Sequence, residues 1–386
     1  QCLVGSEMCI RDSTSSFFNS ETGSLGLGGV ETYMYNLSLA CQESSYDVIV
    51  CQLVSSSVSK EYNIHGILCK CIPSSNNQKS FDRIYKMYND HDTVFIIGTD
   101  QMDIKNPNTN VITIQHGIAF DIPGNMIEGF WGRNRMLQSV NKLLRCIKNV
   151  QRMNFCQNTV CVDYNYYNWY KTLGTIHERK KVWVIPNYAS DFISNFEVEQ
   201  KLLNSALVKK IVFARRFVEY RGSIIFAKVI KRLFDENFKF EVTLAGDGPC
   251  KKQMMDILKG YSNVRFTSYE ATESIRFHYN YDIAVVPTIY SEGTSLALCE
   301  SMAAGCFPVS TYVGGLSNIL VDHYNGLLCT PNEDSLYESL KEALTMDRHS
   351  FDSIVRAAYQ TATTSFSLSL WKTKWMKVIS EVFKEQ

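Results

Sequence analysis

The stretch IVFARRFVEYRGSIIFAKVIKRLFDENFKFEVTLAGDGP, Ile211 to Pro249, holds one complete strand–helix–strand pattern. Ile211-Val212-Phe213-Ala214 is a short continuous apolar run, the mark of a strand buried on both faces. Ser223 to Phe234 follows, with Ile225, Phe226, Val229, Ile230, Leu233 and Phe234 on one helical face. Phe240 to Ala245 is a second apolar strand, stopped by the breaker Gly246-Asp247-Gly248-Pro249.

The alternation continues downstream. A helix near Lys251 to Leu258 precedes a strand at Val264 to Thr267, and a helix near Thr272 to Asn280 precedes a strand at Ile283 to Val286. The helix Ser295 to Ala304 leads to a strand at Phe307 to Ser310. Short strands alternating with helices predict a parallel sheet covered on both faces, with ligands at the carboxyl ends of its strands. Upstream, strands are expected at Val48 to Leu53, Val94 to Ile97, Val111 to Ile114 and Thr159 to Val162, with a helix over Thr32 to Cys41. The fold class is therefore α/β with two Rossmann-like domains, 17–185 and 186–365, hinged at Val182-Trp183-Val184-Ile185-Pro186-Asn187. A last segment, 366–386, places Leu370, Trp371, Trp375, Val378, Ile379 and Val382 on one helical face and is expected to pack back toward the first domain.

Residues 1–16 stand apart. CLVGSEMCIRDS (Cys2–Ser13) reads as translated adapter sequence rather than gene-encoded protein. The stretch is set aside as a non-native segment, although the first strand of the first domain would fall in it. Composition sets further bounds. The chain has 386 residues, 45% hydrophobic and 20% charged, with 39 basic against 39 acidic side chains. A net charge of zero argues against nucleic acid as the main partner. The 13 cysteines follow no metal or disulfide framework and read as reduced, buried small hydrophobes in a cytoplasmic protein. No apolar run is long enough to span a bilayer.

Two stretches could carry chemistry in the second domain. In Ser291 to Gly305, Glu292 and Glu300 flank a turn into a helix. The backbone N–H groups of Gly293, Thr294, Ser295 and Leu296 at that helix start form an anion site by geometry and dipole. Glu300 could accept hydrogen bonds from a ribose diol. The plainer alternative makes Glu292 a solvated loop residue and Glu300 a surface helix residue. In Phe213 to Gly222, Arg216 and Arg221 follow a strand end and could hold a diphosphate; otherwise they form a solvated basic loop.

These stretches resemble glycosyltransferase family 4, a retaining family of GT-B fold. Arg215-Arg216-Phe217 with Arg221-Gly222 is similar to its Gly-Arg-Leu and Lys-Gly pattern, and Glu292 with Glu300 to its two-glutamate motif. Ala245 to Pro249, Val313-Gly314-Gly315-Leu316 and Asn325 to Leu328 are further matches. Gly28-Gly29-Val30-Glu31-Thr32 looks like the family's first-domain Gly-Gly loop. His116, in Gln115-His116-Gly117, looks like the histidine that faces the transferred sugar. The resemblance implies two domains whose sheets face a central cleft, and a UDP- or GDP-sugar as co-substrate with no other cofactor and no metal. His116, Glu292, Arg216 and Arg221 would serve catalysis, and Gly28, Gly29, Gly293, Thr294, Ser295, Leu296, Glu300 and Tyr269 would bind the donor. The acceptor would be a glycan, a lipid or a small molecule. This sequence departs from the pattern in carrying Arg215 where the family has glycine, which crowds the turn, and Arg221 where it has lysine. A hydrolase or epimerase of nucleotide sugars would release or convert the sugar without an acceptor. A catalytically silent binding subunit would bind donor without turnover.

Two other features need placing. Asp90-His91-Asp92 has metal-binding spacing but precedes a strand, at the wrong sheet edge for a ligand, and reads as a solvated turn. Gly132 to Gln157 carries Arg133, Arg135, Lys142, Arg145, Lys148 and Arg152 with no acidic residue. Met136, Leu137, Val140, Leu143, Leu144 and Ile147 add an apolar stripe. Either the stripe faces the core and the basic face is solvated, or the segment rests on an anionic membrane or meets an acidic or lipid-linked acceptor.

Overall fold

The computed structural model describes residues 2–6, 17–24, 29–55, 59–90, 92–117, 135–173, 180–204, 206, 208–290 and 292–384. The chain divides into two compact units. The first runs through β1 (Cys2–Ser6), α1 (Gly29–Glu43), β2 (Ile49–Val54), β3 (Lys60–Ile64), β4 (Ile67–Pro73), α2 (Asn77–Tyr88), β5 (Phe95–Ile97), β6 (Val111–Gln115), α3 (Arg135–Arg152), β7 (Asn158–Cys161), α4 (Tyr164–Leu173) and β8 (Lys181–Val184). Its strands lie in the order β3-β4-β2-β1-β5-β6-β7-β8, parallel except for β3.

The stretch set aside in the sequence is used by this sheet: β1 pairs with β2 on one side and β5 on the other. The β3–β4 hairpin escaped sequence reading because its turn residues are His65 and Gly66, both at positive φ, rather than the usual Asn-Gly. It also carries a Cys-x-Cys pair in β4. Cys69 and Cys71 are alternate inward positions of one strand, both buried. Burial pushes the Cys69 thiol up to about 12, which makes it inert.

The second unit holds α5 (Asn195–Leu203), β9 (Lys209–Ala214), α6 (Ser223–Asp235), β10 (Phe240–Ala245), α7 (Lys251–Ile257), β11 (Val264–Thr267), α8 (Ser274–Tyr279), β12 (Ile283–Val286), α9 (Leu296–Ala303), β13 (Phe307–Thr311), β14 (Leu327–Cys329), α10 (Glu333–Thr345) and α11 (Arg348–Ser365). Its six strands are all parallel, in the order β11-β10-β9-β12-β13-β14. Counting from β9, this is the 3-2-1-4-5-6 order of a doubly wound Rossmann sheet. The central strands are buried on both faces, as their apolar runs predict.

A final helix, α12 (Leu368–Phe383), returns to the first unit, which takes residues from Trp371 onward. The second unit keeps the chain as far as Leu370 rather than 365 for a local reason. Phe366 is buried in its core, and its carbonyl accepts from the Ala189 N–H at 2.8 Å. Trp375 donates its indole N–H to the Tyr33 hydroxyl at 2.8 Å, and Trp371 meets the same ring edge-on.

The apolar stripe of α3 does not face the core. Cys146 and Val150 touch the small cluster of Met153, Cys161 and Tyr166, whereas Met136, Val140, Leu143, Leu144 and Ile147 are exposed. At the amino end of β5, Asp90 accepts from the Asp92 N–H and the Thr93 hydroxyl, closing a turn; His91 lies outside the described residues.

Candidate active site

In a doubly wound sheet the ligand crevice opens where neighbouring strands send their connections in opposite directions. In the second unit that point lies between β9 and β12, which pair at Ile211–Ile283 and Val212–Ala284. Both motifs singled out in the sequence sit there. The loop after β9 holds Arg215, Arg216 and Arg221, and the loop after β12 holds Glu292 and leads into α9.

The two loops meet at Glu292, which is only 6% exposed. One oxygen of its carboxylate, Oε2, accepts from the Arg215 guanidinium at 2.7 Å, from the Thr288 hydroxyl at 2.8 Å and from Arg221. Arg215 also donates to the Thr288 hydroxyl. Burial drives the Glu292 carboxyl up, but the two cations outweigh it and hold the group down at about 2. Burial lowers Arg215 from its usual value, while Glu292 raises Arg221 despite burial. Both guanidinium groups stay charged. Arg215 therefore does not merely crowd its turn; its side chain is the inner clamp on Glu292. Arg216, the next residue, is exposed.

Glycines let the loops approach this closely. Gly222 has φ 80 and Gly314 has φ 51, values that favour glycine. A Cβ on Gly222 would overlap the Pro287 carbonyl oxygen, and one on Gly314 the Glu292 carbonyl oxygen. The Gly315 N–H donates to that same Glu292 carbonyl at 3.0 Å.

The helix start is built by a cap. Ser295 is the N-cap of α9, and its hydroxyl accepts from the Leu298 N–H at 3.4 Å. Gly293, Thr294 and Ser295 are buried, and half-buried Leu296 and Ala297 supply the first N–H groups that helix geometry leaves unpaired. Ala297 was not among the residues expected from the sequence. Thr294 is fixed from behind: the Asn187 backbone N–H donates to its hydroxyl at 2.6 Å, and the Asn187 side chain donates to its carbonyl.

Glu300 lies inside α9 and accepts from the Ser274 hydroxyl at 2.7 Å. Burial raises its carboxyl to about 7, with Ser274 and Ser190 pulling the other way. Tyr269 is nearby. Burial and the Glu300 charge push its phenol up to about 12, and its ring stacks on Phe277 with centroids 4.2 Å apart. Neither Ser274 nor Ser190 carries a sequence signal; both are recognisable only through contact with Glu300.

In the first unit, His116 follows β6 and its Nε2 lies 2.8 Å from the Gly98 carbonyl oxygen, with Tyr33 edge-on at 5.0 Å. A carbonyl only accepts, so Nε2 carries the hydrogen and the neutral ring presents Nδ1 as an acceptor. Burial lowers this imidazole to about 4 and keeps it neutral. Gly29 begins α1, and Gly28 lies outside the described residues.

The chain joins a Rossmann-like unit to an all-parallel Rossmann unit with an acid–guanidinium cluster and a capped helix start at its switch point, and two such units in one chain are the elements of the GT-B fold. Residues 208–346 match the family described as Glycosyl transferases group 1, and the fold of the chain is the GT-B fold. It is 22% identical over 337 residues to the phosphatidylinositol N-acetylglucosaminyltransferase gpi3 subunit of Schizosaccharomyces pombe, covering 82% of this chain and 70% of that protein. Among solved structures, sucrose-phosphate synthase from Thermosynechococcus elongatus superposes with a TM-score of 0.72 at 12% identity, over 100% of this chain and 99% of the other. Anabaena HepE in complex with UDP-glucose gives 0.67 at 13% identity, over 98% and 99%.

Proposed function

We propose that the protein transfers a hexose from a nucleotide-diphosphate donor, UDP- or GDP-linked, to an acceptor hydroxyl on a glycan, lipid or small molecule, with the anomeric configuration kept. The observation that carries the reading is the meeting of Arg215, Arg221 and Thr288 on Glu292 at the sheet's switch point. The bond from the anomeric carbon to the diphosphate breaks, the acceptor oxygen bonds that carbon on the same face, and the acceptor proton passes to the departing phosphate oxygen. Negative charge grows on the diphosphate. Arg216, Arg221 and the N–H groups at the start of α9 are preorganised donors for it and need no metal ion. Glu300 takes the ribose diol, Tyr269 lies toward the base, and Glu292, held ionised, orients the sugar. His116 is the first unit's candidate for reading a sugar hydroxyl through Nδ1. Being a UDP-glucose complex of the same fold, HepE supports the donor class.

The test is a panel of UDP-, GDP- and ADP-sugars scored by thermal stabilisation, followed by mass spectrometry of acceptor products. One donor at a hundred times its dissociation constant adds about 2.7 kcal/mol. Sugar release without acceptor would replace transfer by hydrolysis, and binding without any turnover would make the chain a silent subunit.

Glu300 also sets a pH dependence. Below about 7 its carboxyl is protonated, and above it the carboxylate accepts from both ribose hydroxyls. Donor affinity is expected to rise roughly tenfold between about pH 6 and 8, following the ionised fraction. Calorimetric titration of a nucleotide sugar, whose diphosphate does not titrate in this range, checks the rise; Glu300→Gln should flatten it.

A further inference from the structure

Helix α3 is the most one-sided surface among the described residues. Met136, Val140, Leu143, Leu144 and Ile147 recur at helical spacing and so share one face. They are 75%, 39%, 60%, 51% and 46% exposed. The helix carries Arg135, Lys142, Arg145, Lys148 and Arg152 and no acidic residue, within a chain whose net charge is zero. Its carboxyl-terminal end is fastened to the unit. Lys148 pairs with Asp103 at 2.7 Å, Arg152 pairs with the same carboxylate, and Cys146 and Val150 pack inward. Lys142 and Arg145 are exposed, with no ion pair among the described residues. The neighbouring α4, packed on the same small cluster, exposes Trp169, a residue type favoured at the membrane–water boundary.

We propose that α3 docks the protein on an anionic lipid bilayer, with the face of Met136, Leu143, Leu144 and Ile147 at the headgroup–acyl boundary and Lys142 and Arg145 at lipid phosphates. A groove on a partner protein would accept the apolar face but would not call for a helix whose every charge is positive. An anionic bilayer calls for both at once. The helix lies in the first unit, away in sequence from every donor-binding residue of the second, so the proposal stands or falls independently of the transfer reaction.

Co-sedimentation of the full chain with vesicles tests it. The protein should pellet with phosphatidylcholine–phosphatidylglycerol vesicles and stay in the supernatant with phosphatidylcholine alone, and salt should weaken the binding. Leu143→Glu with Leu144→Glu should lower partitioning by about tenfold or more, and Lys142→Glu with Arg145→Glu should erase the preference for the anionic lipid. Met136→Ser, at the most exposed position of the stripe, should weaken binding with no change in melting temperature. Absence of binding to either vesicle would overturn the proposal, as would binding that the variants leave intact. Lipid-free self-association that the stripe variants abolish would overturn it too and would make this face a protein interface.

Discussion

Glu292→Gln is expected to destabilise the second unit by about 3 kcal/mol, because it leaves the buried Arg215 guanidinium and the half-buried Arg221 guanidinium facing a neutral amide. Shape is conserved, so the loss is electrostatic: Oε2 takes charged donors from Arg215 and Arg221 together with the Thr288 hydroxyl. Differential scanning calorimetry reads it as a lower transition temperature. The pH dependence has a definite sign. Glu292 is held below the ordinary carboxylate value, so its stabilisation is present above 4.5 and is lost as pH falls through about 2. The gap between wild type and variant should therefore close at acid pH. Arg215→Met in the Glu292→Gln background should recover part of the loss, since it removes one of the stranded cations. A change in stability below about 0.5 kcal/mol for Glu292→Gln would put the residue in the solvated-loop class.

Arg216→Ala should have the opposite profile. The side chain is exposed, so stability should change by less than about 0.5 kcal/mol. Turnover should fall on the order of 100-fold, about 3 kcal/mol, as for the loss of one preorganised donor to a developing oxyanion. Steady-state kinetics on an acceptor found in the donor panel, beside a melting curve, separates the two effects. Neighbouring arginines thus divide the work. Arg215 holds Glu292 from within, and exposed Arg216 is the one proposed to meet the diphosphate.

The second unit was legible because its strands are uninterrupted apolar runs and its helices have clean faces. Ile211 to Ala214 and Ile283 to Val286 could be placed without help, and their adjacency put both motifs at one switch point. The contact made by Arg215 is not legible because a sequence shows an arginine after a strand but not its acceptor, and Glu292 stands 77 positions on. Asn187 and Ser274 were invisible for the same reason. In the first unit, β3 with its sequence Lys-Glu-Tyr-Asn-Ile reads as polar, since an edge strand buries little. The stripe on α3 is legible as a stripe, but which way it faces depends on packing at Cys146 and Val150 that periodicity does not encode.

The central claim is that a nucleotide diphosphate sits on the arginines of the loop after β9 and the first turn of α9. Calorimetric titration of the donor into the wild-type chain and into the Arg216→Ala and Arg221→Ala variants tests it most directly. One donor site per chain is expected in the wild type, weakened at least about tenfold by each substitution, in line with the loss of a charge-assisted hydrogen bond. Undiminished affinity in both variants would contradict it.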